Sequence, residues 1–136
     1  MTATLVDSNV ILDIANEDDE WLDWSSSMLA EASERGPLVI NPIIYSEVSA
    51  RYDTIEQVDD AVPPDFYRRA PLPWEAAFLA GKCFVQYRRR GGTKTSPLPD
   101  FFIGAHAAVV GMTLLTRDAR RYRAYFPKLR IVSPLA

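Results

Sequence analysis

Three apolar triplets, Thr4-Leu5-Val6, Leu38-Val39-Ile40 and Thr113-Leu114-Leu115, and a fourth run, Ile131-Val132, show no polar alternation and are separated by long stretches of helical character. A strand without alternation is covered on both faces, and parallel strands need helical crossovers. The pattern therefore predicts an α/β chain: a short parallel β-sheet with helices on both faces, a three-layer sandwich. Helices are expected over 18–34, where Trp21, Trp24, Met28, Leu29 and Ala32 recur at three-to-four spacing, and over 43–51, 54–62, 74–90, 100–110 and 119–125. Asp7-Ser8-Asn9 is read as a polar turn before a helix starting at Val10. The segment between the second and third strands is read as one helical crossover region.

At 136 residues the chain has room for one domain, 1–136, and its 48% apolar and 24% charged residues match an ordinary globular balance. No window reaches the roughly 18 uninterrupted apolar residues of a membrane span, and Met1-Thr2-Ala3-Thr4-Leu5 lacks the basic start of a signal peptide, so a cytoplasmic location away from membranes is expected. The single cysteine, Cys83, permits neither an intrachain disulfide nor a cysteine-built zinc cage. The net charge of -3 hides an asymmetry: residues 1–67 carry 15 acids against Arg35 and Arg51, whereas residues 68–136 carry 13 cations against Glu75, Asp100 and Asp118. Twelve of the 15 cations are arginine, whose planar fork suits phosphate. A nucleic-acid partner is open on that ground, and so is neutralisation of one half by the other.

Asp7 ends the first strand and Asp118 follows the third, which puts both at the carboxyl edge of the sheet, where open α/β folds bind ligands. Asp100 opens a helix after Pro99. Each of the three has a capping role available, since an aspartate ahead of a helix satisfies free N–H groups. Glu47 is different: it lies four residues after Ile43 and three after Ile44, an acid on an apolar helix face. An ionised carboxylate there costs several kcal/mol unless paired or bound to a cation. A shared site for all four explains them together, and oxygen-only ligation would select Mg²⁺ or Mn²⁺.

Leu5-Val6-Asp7-Ser8-Asn9, Tyr45-Ser46-Glu47-Val48, Leu98-Pro99-Asp100-Phe101-Phe102-Ile103-Gly104-Ala105-His106-Ala107 and Leu114-Leu115-Thr116-Arg117-Asp118, followed by Tyr125-Phe126-Pro127, together resemble a PIN-domain ribonuclease of the VapC toxin branch. The resemblance spans nearly the whole chain and implies a PIN-like fold. It places the family's acidic cluster on Asp7, Glu47, Asp100 and Asp118, with Asn9 and Thr116 as polar supports. It further implies a Mg²⁺- or Mn²⁺-dependent endoribonuclease that leaves a 5′-phosphate, a homodimer, and inhibition by a VapB-type antitoxin lying in a groove. The helix bearing Trp21, Trp24 and Met28 is the groove candidate; core packing explains the same residues.

Arg90 and Lys94, in the basic stretch around Gly91-Gly92, and Arg117 beside Asp118 are candidate phosphate contacts. Solvated helix ends are the competing explanation. His106, six residues after Asp100, points about 240° around the helix and is expected to face elsewhere. Cys83, among Phe78, Phe84 and Val85, reads as a core residue. Two other functions remain on the table. A phosphatase of the haloacid-dehalogenase type needs a second aspartate at the position of Asn9. A non-catalytic PIN-like domain would bind RNA or a partner and normally breaks the acidic set.

Overall fold

A computed structural model describes residues 2–134; Met1, Leu135 and Ala136 lie outside the described residues. In chain order it contains β1 (Thr4–Val6), α1 (Ser8–Ala15), α2 (Leu22–Arg35), β2 (Leu38–Ile40), α3 (Pro42–Ser49), α4 (Ile55–Ala61), β3 (Tyr67–Arg69), α5 (Trp74–Arg89), α6 (Pro99–Val110), β4 (Thr113–Leu115), α7 (Arg120–Tyr125) and β5 (Ile131–Val132). The strands form one sheet in the order β3-β2-β1-β4-β5, every pairing parallel. The chain steps outward from β1 to β2 and β3, then returns to the other side of β1 for β4 and β5. Right-handed crossovers then set α1–α4 on one face and α5–α7 on the other, which is the sandwich the apolar triplets predict.

The sheet has five strands rather than the four expected. β3 lies inside the stretch read as an uninterrupted crossover, and it is Tyr67-Arg68-Arg69, with Tyr67 buried and both arginines exposed. An edge strand needs cover over only part of its length, so it carries no apolar run to betray it. Two helix starts also shift. α1 begins directly at Ser8, because Asp7 caps it by accepting from the Ser8 N–H at 2.8 Å. α2 begins at Leu22 rather than Asp18, whose carboxylate instead accepts from the N–H groups of Glu20 and Trp21 in the preceding turn.

The core is made by the triplets and the inner faces of the helices: Leu5, Val6, Ile40, Ile44, Phe101, Ile103, Leu114 and Leu115 are almost entirely inaccessible. Cys83 joins this core, whereas Phe78 and Val85 on the same helix are exposed. Gly104 is a close-approach position: a Cβ there would sit 2.3 Å from the Phe126 ring, so α6 packs on the end of α7 only without a side chain at that point. Trp24 and Met28 pack half-buried on the core, and the Arg117 guanidinium lies 5.2 Å from the Trp21 ring, so all three keep part of their surface accessible.

One buried ion pair ties α1 to the loop after β4. The Asp13 side chain, 3% exposed, accepts from Arg117 Nε and Nη2, both at 2.9 Å, and from the Ser25 hydroxyl at 2.8 Å. Removing the cation strands a buried carboxylate. Arg117→Met is expected to destabilise the fold by about 2 kcal/mol, below the range for a fully buried pair because Arg117 is partly solvated; urea denaturation measures it. Double substitution with Asp13→Leu is expected to recover most of that loss.

Candidate active site

β1 and β4 are neighbours at the point where strand order reverses, and their register pairs Val6 with Leu115. The next residue on each strand is therefore polar and adjacent: Asp7 and Thr116. The Asp7 N–H donates to the Leu115 carbonyl at 2.9 Å, which fixes the Asp7 backbone before the side chain makes any contact. The Thr116 oxygen accepts from Asn9 Nδ2 and from the Asp118 N–H, both at 3.3 Å, so its hydrogen is directed to Asp7 Oδ2, 2.9 Å away. Asn9 and Thr116 thus stand behind Asp7, and Asn9 Oδ1 also accepts from the Arg117 N–H.

Asp7 is 5% exposed and receives a second hydroxyl, that of Tyr122, at 2.9 Å on the same Oδ2. The Tyr122 hydroxyl also lies 3.2 Å from Asp100 Oδ1, so one phenol bridges two aspartates from opposite ends of the sequence. On the other side, the Ser8 hydroxyl donates to Glu47 Oε1 at 3.0 Å. Tyr122 and Ser8 were not legible as site residues in the sequence. Tyr122 sits among Arg120, Arg121 and Arg123 and passes for the one core contact of a short helix; Ser8 passes for a turn residue.

The electrostatics follow from that packing. Burial raises the Asp7 carboxyl above the usual carboxylate range, and the Asp100 charge adds to the rise, against the hydrogen bonds from Thr116, Tyr122 and Ser8. Glu47 is pushed up to about 7, first by burial and then by the charges of Asp7 and Asp100. Three of the four predicted acids therefore feel one another. Asp118 stands apart: its side chain is 61% exposed, accepts from the Arg120 N–H at 3.3 Å and faces Arg120 Nε at 3.5 Å. It shares with Asp100 an open cleft of about 430 Å³, also lined by Arg120, Arg121 and Tyr125. Arg121 approaches Asp100 at 3.4 Å, and the Arg90 guanidinium lies 4.8 Å above the Tyr125 ring at the same cleft.

Among the remaining candidates, Arg117 is corrected: its guanidinium is committed to Asp13 and Trp21, so it is a structural cation and not a phosphate contact. Lys94 lies in an exposed loop whose backbone N–H groups at 93 and 94 donate to the Tyr87 hydroxyl. His106 is buried and takes Asn41 Nδ2 at 3.0 Å on its Nδ1, away from the acids, as its helical angle predicts.

The donor set suits a hard cation, since every converging group is a carboxylate and burial disfavours their joint ionisation without one. Among the described residues, no three acidic, histidine or cysteine side chains stand close enough to ligate one ion as placed. That spacing is compatible with Mg²⁺, which keeps several waters and typically takes only one or two protein carboxylates.

The chain belongs to the PIN domain family, whose pattern matches residues 4–127. Among solved structures it is similar over its whole length to VapBC2 from Rickettsia felis bound to a promoter DNA fragment, with 15% identity, TM-score 0.71, and 97% of this chain and 98% of that chain covered. It is likewise similar to VapBC-1 from nontypeable Haemophilus influenzae, with 16% identity, TM-score 0.72 and coverage of 96% and 97%. VapC20 from Mycobacterium tuberculosis, described as a sarcin-ricin loop cleaving toxin, aligns with 14% identity, TM-score 0.63 and coverage of 89% and 94%. No curated protein matches the chain by sequence.

The raised Glu47 value fixes the sign of a pH effect. An acid harder to ionise in the folded than in the unfolded chain stabilises the fold below its unfolded value and loses that contribution as pH rises through its folded value. In EDTA, the thermal midpoint is therefore expected to fall between about pH 4.5 and about 7 as Glu47 ionises. Millimolar Mg²⁺ is expected to reverse most of the fall at pH 7, and calorimetry with and without the ion checks both.

Proposed function

We propose that this chain is a Mg²⁺- or Mn²⁺-dependent endoribonuclease, a VapC-type toxin of a type II toxin–antitoxin pair, acting in the cytoplasm as a homodimer and neutralised by a VapB-type antitoxin. The observation that carries the reading is the grouping of Asp7, Glu47 and Asp100 at the carboxyl edge of the sheet, where the Tyr122 hydroxyl lies between the two aspartates, the Ser8 hydroxyl holds Glu47, and the aspartate charges reach Glu47. Membership of the PIN family supports nuclease chemistry, and likeness to VapBC assemblies supports the antitoxin partner.

In this reading Asp7, Asp100, Asp118 and Glu47 hold the ion, with Asn9 and Thr116 fixing Asp7. A bound ion would supply Lewis-acid chemistry there, making water a better nucleophile and offsetting charge on the phosphate. Glu47 supplies something the aspartates do not. Without the ion, burial and the Asp7 and Asp100 charges hold its carboxyl up at about 7; its Oε1 takes the Ser8 hydroxyl, and Oε2 would be left to contact the ion or to orient the attacking water. Arg90 and Lys94 then remain as cations for the RNA backbone, and Arg120 and Arg121, which line the cleft, join them.

A second reading, a PIN domain that binds RNA without cutting it, draws on the Asp118 side chain being turned to Arg120. Incubating the purified protein with total RNA in Mg²⁺, Mn²⁺ or EDTA, and sequencing the new ends, separates the two. Metal-dependent 5′-phosphate ends support the nuclease; RNA retained but uncut with either ion supports the binder. Asp7→Asn and Asp100→Asn, each nearly isosteric, are expected to keep the fold and lower cleavage by more than about 100-fold, the loss that an outer partner of a metal ligand alone can cause. Cleavage retained in either folded variant removes that residue from the reaction.

A further inference from the structure

We propose that Tyr122 is a positioning residue for the divalent ion: its hydroxyl holds the Asp7 and Asp100 carboxylates at the separation on which ion binding depends. The proposal rests on the nuclease reading above. Tyr122 is 1% exposed, and its oxygen lies 2.9 Å from Asp7 Oδ2 and 3.2 Å from Asp100 Oδ1. The three residues come from the end of β1, the first turn of α6 and the first turn of α7, so the phenol is the only side chain hydrogen-bonded to both aspartates among the described residues. Packing alone would be served by phenylalanine, and a buried hydroxyl costs free energy unless it is bonded. The hydroxyl is therefore present for the two acids.

Lone-pair accounting shows what the bridge accomplishes. Asp7 Oδ2 is filled by the Thr116 and Tyr122 hydroxyls, and Oδ1 takes the Ser8 N–H, which leaves one lone pair on Oδ1 uncommitted. The bonds lock the carboxylate in one rotamer with that lone pair as its remaining acceptor position. The phenol has one hydrogen, shared between Asp7 Oδ2 at 2.9 Å and Asp100 Oδ1 at 3.2 Å; apart from that share, Asp100, one-third exposed, has only a long side-chain contact to Arg121 among the described residues. Without the phenol, the Asp100 carboxylate would turn toward solvent, away from the anchored Asp7. The phenol's own pKa is raised well above its ordinary value by burial and by the Asp7 and Asp100 charges, so it stays a hydroxyl and donates a hydrogen bond rather than serving as a base.

The experiment compares the wild-type protein with Tyr122→Phe. Mn²⁺ titrated into each without RNA is expected to bind Tyr122→Phe about 10- to 100-fold more weakly, the usual effect of losing a partner behind a metal ligand. The Mn²⁺ concentration for half-maximal RNA cleavage is expected to rise by the same factor, with the rate at saturating Mn²⁺ restored to near wild type. Equal Mn²⁺ affinity in the two proteins overturns the proposal, as does a low rate at saturating Mn²⁺ with unchanged affinity, which would place the hydroxyl on the reaction itself. If Tyr122→Phe does not fold, wild-type protein labelled with ¹³Cζ-tyrosine decides: Mg²⁺ is expected to shift the Tyr122 resonance, and no shift overturns the proposal. A wild-type protein that binds no Mn²⁺ refutes the nuclease reading and this one together, an outcome distinct from equal binding by both proteins.

Discussion

Everything at the carboxyl edge of the sheet depends on the cost of burying the Asp7 carboxylate. A carboxylate removed from water loses several kcal/mol of hydration unless hydrogen bonds replace it. Here three donors do so, from α1, from the end of β4 and from α7. Those donors come together only if β1 and β4 pair in their observed register, because Val6 opposite Leu115 is what sets Asp7 beside Thr116. A slip by one residue would place Leu115 or Arg117 beside Asp7 and leave a buried acid without its threonine. Local capping, strand register and site assembly are thus one constraint, and the fold and the acidic site stabilise each other.

The charge asymmetry of the sequence resolves in the same geometry. β1 belongs to the acidic half and is flanked on one side by β4 from the basic half, so the two halves interleave rather than segregate. Asp13 with Arg117 and Asp59 with Arg69 are pairs across that division. The second is exposed and contributes little to stability; the first is buried and contributes by keeping Asp13 compensated. Neutralisation therefore accounts for part of the arginine excess. The residues left over include Arg120 and Arg121, which are beside Asp118 and Asp100 and whose contacts of 3.4–3.5 Å are loose enough for solvent or another anion to replace.

Sequence patterning was informative where burial is uniform and uninformative where it is mixed. The four apolar runs are β1, β2, β4 and β5 as expected: β1, β2 and β4 are buried at each position, and β5, half-buried at the sheet edge, is apolar at both of its residues. β3 escapes because Arg68 and Arg69 face solvent at the edge, and two arginines after a tyrosine look like a loop. Glu47 was legible as an acid on an apolar face, and its half-buried position bears that out. Tyr122 was not, because an aromatic in a short amphipathic helix is ordinarily core, and nothing in one-dimensional spacing distinguishes a tyrosine bonded to two aspartates from one that fills space. Arg117 shows the converse error: adjacency to Asp118 in sequence suggested a shared substrate, yet successive residues leaving a strand point in opposite directions, and Arg117 turns toward Asp13.

Their surroundings separate the four acids into unlike groups, and this bears on any chemistry they share. Asp7 has most of its acceptor positions committed and is rigid; Glu47 has one hydroxyl partner and a value near neutrality; Asp118 is in solvent beside an arginine. Groups of one chemical type in unlike surroundings are suited to different tasks, one held in place while another exchanges a proton. Asp7 fits the first description, because three donors fix its oxygens, although burial raises its carboxyl as it does that of Glu47. Glu47 fits the second, because its single donor from Ser8 leaves an oxygen free and the neighbouring charges set its proton affinity. Changing the charge on Asp100 would move Glu47 as well, since Asp100 is one of the two charges that raise it. The aspartate-to-glutamate coupling, more than the count of acids, is what this fold builds.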